Sequence, residues 1–163
     1  MAPTTKGTPS RLQAEIHQKK TFHSAHQEGA IGIVRTADVL KRRFARIIEP
    51  HGISGQQYNV LRILRGAHPE RLPTLEIAER MIEEAPGITR LLDRLERKGL
   101  VKRERCDSDR RQVLCEITRK GMTLLEKLDA PVSRADDEAL GPISAADLGS
   151  LIRILDAVRE HHA

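Results

Sequence analysis

Residues 86–118 read PGITRLLDRLERKGLVKRERCDSDRRQVLCEIT, and the pattern of this stretch decides the architecture. Ile88, Leu91, Leu92 and Leu95 recur at helical spacing, Pro86 sits in a first turn where its missing N–H is harmless, and Gly99 closes the run. Leu100 to Arg105 and Arg111 to Ile117 then read as two strands around the turn Cys106-Asp107-Ser108-Asp109-Arg110, with Val113, Cys115 and Ile117 alternating inward. Carried on to Lys120, the stretch holds 11 Lys+Arg against 6 Asp+Glu, an excess equal to the +5 of the whole chain. A charge excess confined to one helix and hairpin marks a surface for a polyanion rather than a general solubility device.

Working outward, the flanking sequence reads as helices. A long one spans about Ala25 to Ile48, with an apolar seam of Ile33, Ala37, Leu40, Phe44 and Ile47 expected to be buried against other helices. Ser54 with Gln57 three residues on opens the next as a capping box, carrying Tyr58, Leu61 and Leu64 on one face to Gly66. Thr74 is a candidate N-cap for a short helix through Met81, and a break at 82–85 precedes the helix of the opening stretch. After the hairpin, Thr118 starts a long helix with Leu125, Leu128, Val132, Ala135 and Ala139 as its seam. Gly141-Pro142 breaks it, and Ser144 with Asp147 caps a last helix bearing Leu148, Leu151, Leu155 and Val158. The fold expected is mainly α (α+β), in the order α-α-α-α-β-β-α-α. Two short helices with a tight break, then a basic hairpin, give the winged helix-turn-helix layout.

The chain has 163 residues, a length that favours one domain, with residues 25–163 forming it. Residues 1–24 read as a flexible tail (MAPTTKGTPS is rich in Pro, Thr and Gly) and a short helical lead-in. No apolar run resembles a signal peptide or a membrane span, and the two cysteines do not form a secreted scaffold. A cytoplasmic protein with no membrane partner is expected. Phe22, Phe44 and Tyr58 are the whole aromatic complement. Such scarcity argues against single-strand binding by base stacking and for phosphate and groove contacts on double-stranded DNA.

The side of the 86–98 helix opposite the leucines offers Thr89, Arg90, Arg94 and Arg97; Thr89 and Arg90 lie in about the first turn, where side chains reach base edges in a major groove, and Arg94 is one turn further on. Asp93 and Glu96 lie on the same helix, so a solvated face of mixed charge is the competing reading. At the hairpin tip Asp109 is placed to accept from turn amides and to pair with a nearby Arg, leaving another Arg to project into the narrow minor groove. Lys102, Arg103 and Arg105 on the approach strand add to that positive tip.

The runs GISGQQYNVLRIL, LPTLEIAERM and PGITRLLDRLERKGLVKRERCDSDRRQVLCEIT together resemble the MarR (multiple antibiotic resistance regulator) family, over about residues 30–160. The resemblance implies a homodimer assembled through residues 25–50 and 118–160, with 54–117 as the DNA-binding lobe. It implies a transcriptional repressor on a palindromic operator, released by a small-molecule effector or an oxidant. Thr89, Arg90 and Arg94 match recognition-helix positions, Arg111 the wing arginine that enters the minor groove, Asp109 its partner and Arg110 an adjacent phosphate contact. Tyr58 and Arg62 would border the effector cleft. Pro86 and Gly87 stand where relatives often carry Ser or Thr, which shifts weight to Arg90, Arg94 and DNA shape. The chain lacks the first-helix cysteine of peroxide sensors and the tryptophan of urate-responsive members.

Other features read as structural. Cys115 faces the core, and pairing through the turn puts it near Lys102, too far from Cys106 at the tip for a disulfide. His17, His23, His26, His161 and His162 lack metal-ligand spacing, and Lys41, Arg42, Arg43 and Arg46 read as a solvated face balanced by Asp38 and Glu49. No catalytic constellation, phosphate-cradling glycine loop or carboxylate cluster is present, so neither an enzyme nor a cofactor or metal is expected. The alternative is a winged-helix protein–protein adaptor that turns its basic hairpin on an acidic partner.

Overall fold

The computed structural model describes residues 10–106, 109 and 111–161; the tail expected at the N-terminus lies largely outside them. The chain divides into two compact units, residues 1–42 and 43–163. In the first, α1 (Arg11–Glu15) is capped by Ser10, whose hydroxyl accepts from the amide of Gln13 at 3.2 Å. The helix α2 (Ala25–Ile48) spans the length its periodicity predicts. The burial expected along its seam is only half present: Ile33 and Leu40 are exposed, together with Val34 and Val39. Only toward its end do Phe44, Ile47 and Ile48 pack into the core of the second unit. The 4-3-4-3 spacing reports an apolar stripe, and a stripe does not say whether its partner lies in the same chain.

The second unit continues through α3 (Gly55–Ala67), β1 (Leu72–Pro73), α4 (Thr74–Glu79), α5 (Ile88–Arg97), β2 (Val101–Arg105), β3 (Val113–Ile117), α6 (Arg119–Leu140) and α7 (Ala145–Glu160). The capping box at Ser54 is complete: its hydroxyl accepts from the Gln57 amide at 3.3 Å, and Gln57 Oε1 accepts from the Ser54 amide at 3.1 Å. Val60, Leu61 and Leu64 of α3 meet Ile77, Leu92, Leu95, Val101, Cys115, Leu125 and Leu128 in one core, all buried. Each fully buried leucine contributes about 1.5–3 kcal/mol. The leucines of α5 thus fix which of its faces looks outward. On α7 none of the apolar residues is buried, and Ile152, Ile154 and Val158 are exposed.

Three local readings change. Thr74 is the first helical residue rather than a cap, and its hydroxyl donates to the Val113 carbonyl at 3.3 Å. The reason is β1, a two-residue edge strand too short to show alternation; Pro73 is tolerated there because an edge leaves the missing N–H without consequence. The sheet runs β1-β3-β2, antiparallel throughout. The hairpin tip is longer than the sequence suggests, since β3 begins at Val113; Cys115 therefore faces Arg103, not Lys102. Finally, α5 begins at Ile88 with Gly87 as an N-cap that offers no side chain, and Pro86 lies in the turn before it.

Candidate nucleic-acid interface

Helices α4 and α5 form the helix-turn-helix, and α3 braces its turn: Asn59 Oδ1 accepts from the Ile82 amide at 2.9 Å. Because Leu92 and Leu95 are sunk in the core, Thr89, Arg90, Arg94 and Arg97 are left exposed on the opposite side of α5. Starting at Ile88 keeps Thr89 and Arg90 in the first turn, as the major-groove reading requires. Arg90 and Arg94, with Gln56, Pro86 and Gly87, border a shallow depression of about 240 Å³. Gln56 is a participant that sequence reasoning did not find; it sits at the start of α3, and no pattern within 86–118 points to it.

The two acids of α5 are occupied. Arg103 on β2 reaches Glu96 with Nε at 2.9 Å and Nη2 at 2.7 Å, and Asp93 at 2.6 Å. The bond to Glu96 leads in holding the guanidinium above its usual range, with Asp93 adding to it. Arg103 therefore belongs to the joint between hairpin and recognition helix, not to the positive tip. Its position gives a signal: two residues from buried Val101 on a strand, it shares the inward face, and a cation there needs acids. Lys102 is likewise occupied, in a network with Glu104, Glu116 and Arg71 on the outer face of the sheet. The Lys102 ammonium, followed by Arg71, holds the Glu104 carboxyl below the usual range.

Among the described residues of 86–120 only Lys102 and Arg103 are paired with acids; Arg90, Arg94, Arg97, Arg105 and Arg111 carry no ion pair, and neither do Lys98, Arg119 and Lys120. At the wing, Asp109 Oδ1 accepts from the Arg111 amide at 3.0 Å, its carbonyl accepts from Gln112 N at 2.9 Å, and the Gln112 carbonyl accepts from Cys106 N at 3.0 Å. The Asp109 carboxylate thus stiffens the turn through the backbone of Arg111, whose side chain is exposed. Arg110 lies outside the described residues. Cys115 is buried and its thiol is pushed up by that burial; no disulfide joins it to Cys106.

The expected effector pair is placed differently from the DNA-facing set. Tyr58 is buried, edge-on to Phe44 with ring centroids 5.1 Å apart, and its hydroxyl accepts from Arg62 Nη1 at 3.2 Å. Arg62 also lies over the Tyr58 ring at 5.9 Å. Neither residue lines the depression beside α5 or the larger hollow of about 500 Å³ at the other end of that helix. Tyr58 serves packing within this chain. One turn on, Arg65 grips Asp129 of α6 with two bonds of 2.8 Å and holds that carboxyl below the usual range.

Comparison with known proteins fits this geometry. Residues 53–113, from the start of α3 to the first residue of β3, match the MarR family signature. A MarR transcription factor from Planctomyces limnophilus is 42% identical, covers 84% of this chain and 99% of its own, and superposes with a TM-score of 0.66. The chain belongs to the MarR family. Its winged helix-turn-helix is that of a family of transcriptional regulators rather than of enzymes. A mutant MarR from E. coli, solved in complex with operator DNA, is 25% identical over 79% of this chain and 91% of its own, with a TM-score of 0.72. Sco3205 from Streptomyces coelicolor, also solved with DNA, shares the fold at a TM-score of 0.75, with 22% identity over 88% of this chain and 92% of its own. No described helix of this MarR-family chain is long and apolar enough to cross a membrane.

Proposed function

We propose that this MarR-family chain is a homodimeric repressor that reads a palindromic duplex operator with α5 and grips the adjacent minor groove with Arg111. The observation that carries the reading is selective charge compensation. The acids of α5 are neutralised by Arg103, while Arg90, Arg94 and Arg111 stay exposed and without ion pairs among the described residues. The E. coli relative, solved in complex with operator DNA, supports duplex DNA as the partner. Exposed apolar side chains on α2 and α7 support a twofold assembly, because large exposed apolar patches mark interfaces. Two recognition helices about 34 Å apart would then meet successive turns of the duplex, and an effector that alters their spacing would release it.

Fluorescence anisotropy with operator and random duplex over a salt series tests this. Arg111→Ala is expected to weaken binding to both duplexes several-fold and to lower the salt dependence by about one counterion. An unchanged slope would remove Arg111 from the interface. Arg90→Ala is expected to cost about 1–3 kcal/mol on the operator and much less on random duplex, narrowing the ratio between them. A ratio that holds places base readout elsewhere. No binding to either duplex at low salt would instead favour the adaptor.

A further inference from the structure

At the far end of α5 lies an open hollow of about 500 Å³ with an unusual lining. Lys98 closes α5, while Lys120, Thr123 and Lys127 stand at helical spacing along one face of α6; His51 completes the rim. Leu100 and Leu124 supply an apolar wall. No Asp or Glu lines it. The Arg90–Arg94 depression shares that lack, whereas Lys102, Arg103, Arg65 and Arg71 elsewhere in this lobe are matched by carboxylates.

Two of the ammonium groups are pinned. Lys98 Nζ donates to the Gly52 carbonyl, and Lys120 Nζ donates to the Lys98 carbonyl at 2.7 Å. The second bond caps the end of α5 and the first ties that end to the turn at Gly52, so both are structural in their own right. Each ammonium nevertheless has three donors, so each keeps two for another acceptor. Lys127 is exposed and has no ion pair among the described residues. Converging cations beside a low-dielectric wall raise the local concentration of an anion and are destabilised by mutual repulsion until one arrives.

We propose that this hollow is a binding site for a small organic phosphate monoester. Its nearly dianionic head, with three terminal oxygens, answers Lys98, Lys120 and Lys127 with the Thr123 hydroxyl, and its organic part lies on Leu100 and Leu124. A carboxylate supplies half the charge. A bare phosphate leaves most of a cavity in the ordinary ligand range unfilled. Along the axis of α5, Lys98 stands about 6 Å from Arg94 and about 12 Å from Arg90, one and two turns from the depression at the start of the helix. The proposal does not depend on DNA binding.

The test is amide-shift titration of the full chain with phenyl phosphate at fixed ionic strength, with benzoate and inorganic phosphate in parallel. Phenyl phosphate is expected to give saturable shifts at Gly52 and Thr123, at least five-fold tighter than either comparison compound. Lys127→Ala is expected to weaken it about ten-fold, the scale of one charge-assisted bond, and to leave random-duplex affinity unchanged. An equal response to inorganic phosphate would mean an adventitious ion only. Shifts confined to the Arg90 end of α5, or a fall in duplex affinity in Lys127→Ala, would assign the lysines to DNA. Each of these results overturns the proposal.

Discussion

Arg103→Met is expected to weaken duplex binding by ten-fold or more, although Arg103 is half-buried behind the recognition helix. The guanidinium holds Asp93 and Glu96. Once released, Asp93 lies three residues from Arg90 and four from Arg97, the spacings at which opposite charges meet on a helix. It would then compete with DNA phosphates for those arginines, and one cation would also be lost from the neighbourhood. About 1.4 kcal/mol of lost binding is a factor of ten. The fold would lose about 1–2 kcal/mol, discounted because the acids are partly exposed. Anisotropy well below the melting temperature separates the two effects. Adding Asp93→Asn and Glu96→Gln to Arg103→Met should recover most of the affinity. A triple variant no better than the single one would mean that Arg103 acts by touching DNA itself.

Gly121→Ala is expected to be the most destabilising glycine replacement among the described residues. A Cβ there would stand 2.5 Å from the Leu100 carbonyl oxygen and 2.7 Å from Ile117 Cγ1. Neither neighbour is free to yield. The Leu100 carbonyl accepts from the Thr118 amide at 3.1 Å, and Ile117 is buried at the end of the hairpin. Thr118 closes the joint: its hydroxyl donates to the Gly99 carbonyl at 2.7 Å and accepts from the Gly121 amide at 3.1 Å. Overpacking costs about 1–3 kcal/mol or more, set against a gain of about 1 kcal/mol for Ala over Gly in a helix. The net effect should lower the midpoint by several degrees, at roughly 2–4 °C per kcal/mol for a chain of this size. Gly66→Ala is the control, because nothing lies within 4 Å of its Cβ; it should be neutral or slightly stabilising. Equal midpoints for the two variants in a thermal melt would refute the close approach.

Most of the helix boundaries were legible because caps and stripes are local. Ser54 with Gln57, Thr118 and Ser144 each cap the helix that the sequence assigns to them. The hairpin was legible as a pair of strands, but its register was not. Alternation fixes which residues share a face, whereas the length of the tip fixes which residues stand opposite, and the tip carries no apolar pattern. The strand β1 escaped for a similar reason: two residues show no period.

For the candidate interface, the sequence by itself determined that cations concentrate on residues 86–120 and that Thr89, Arg90 and Arg94 face away from the leucines of α5. Both follow from composition and from helical geometry within a single element. Only the tertiary structure decided which cations are left exposed and unpaired and which are already taken. Alternation places Arg103 on the inward face but does not say which acids meet it; Asp93 and Glu96 reach it through the packing of α5 on β2, and Glu116 reaches Lys102 across the ladder to β3, while Glu104 stands beside Lys102 on β2 itself. An ion pair between two elements depends on a distance that no local pattern contains.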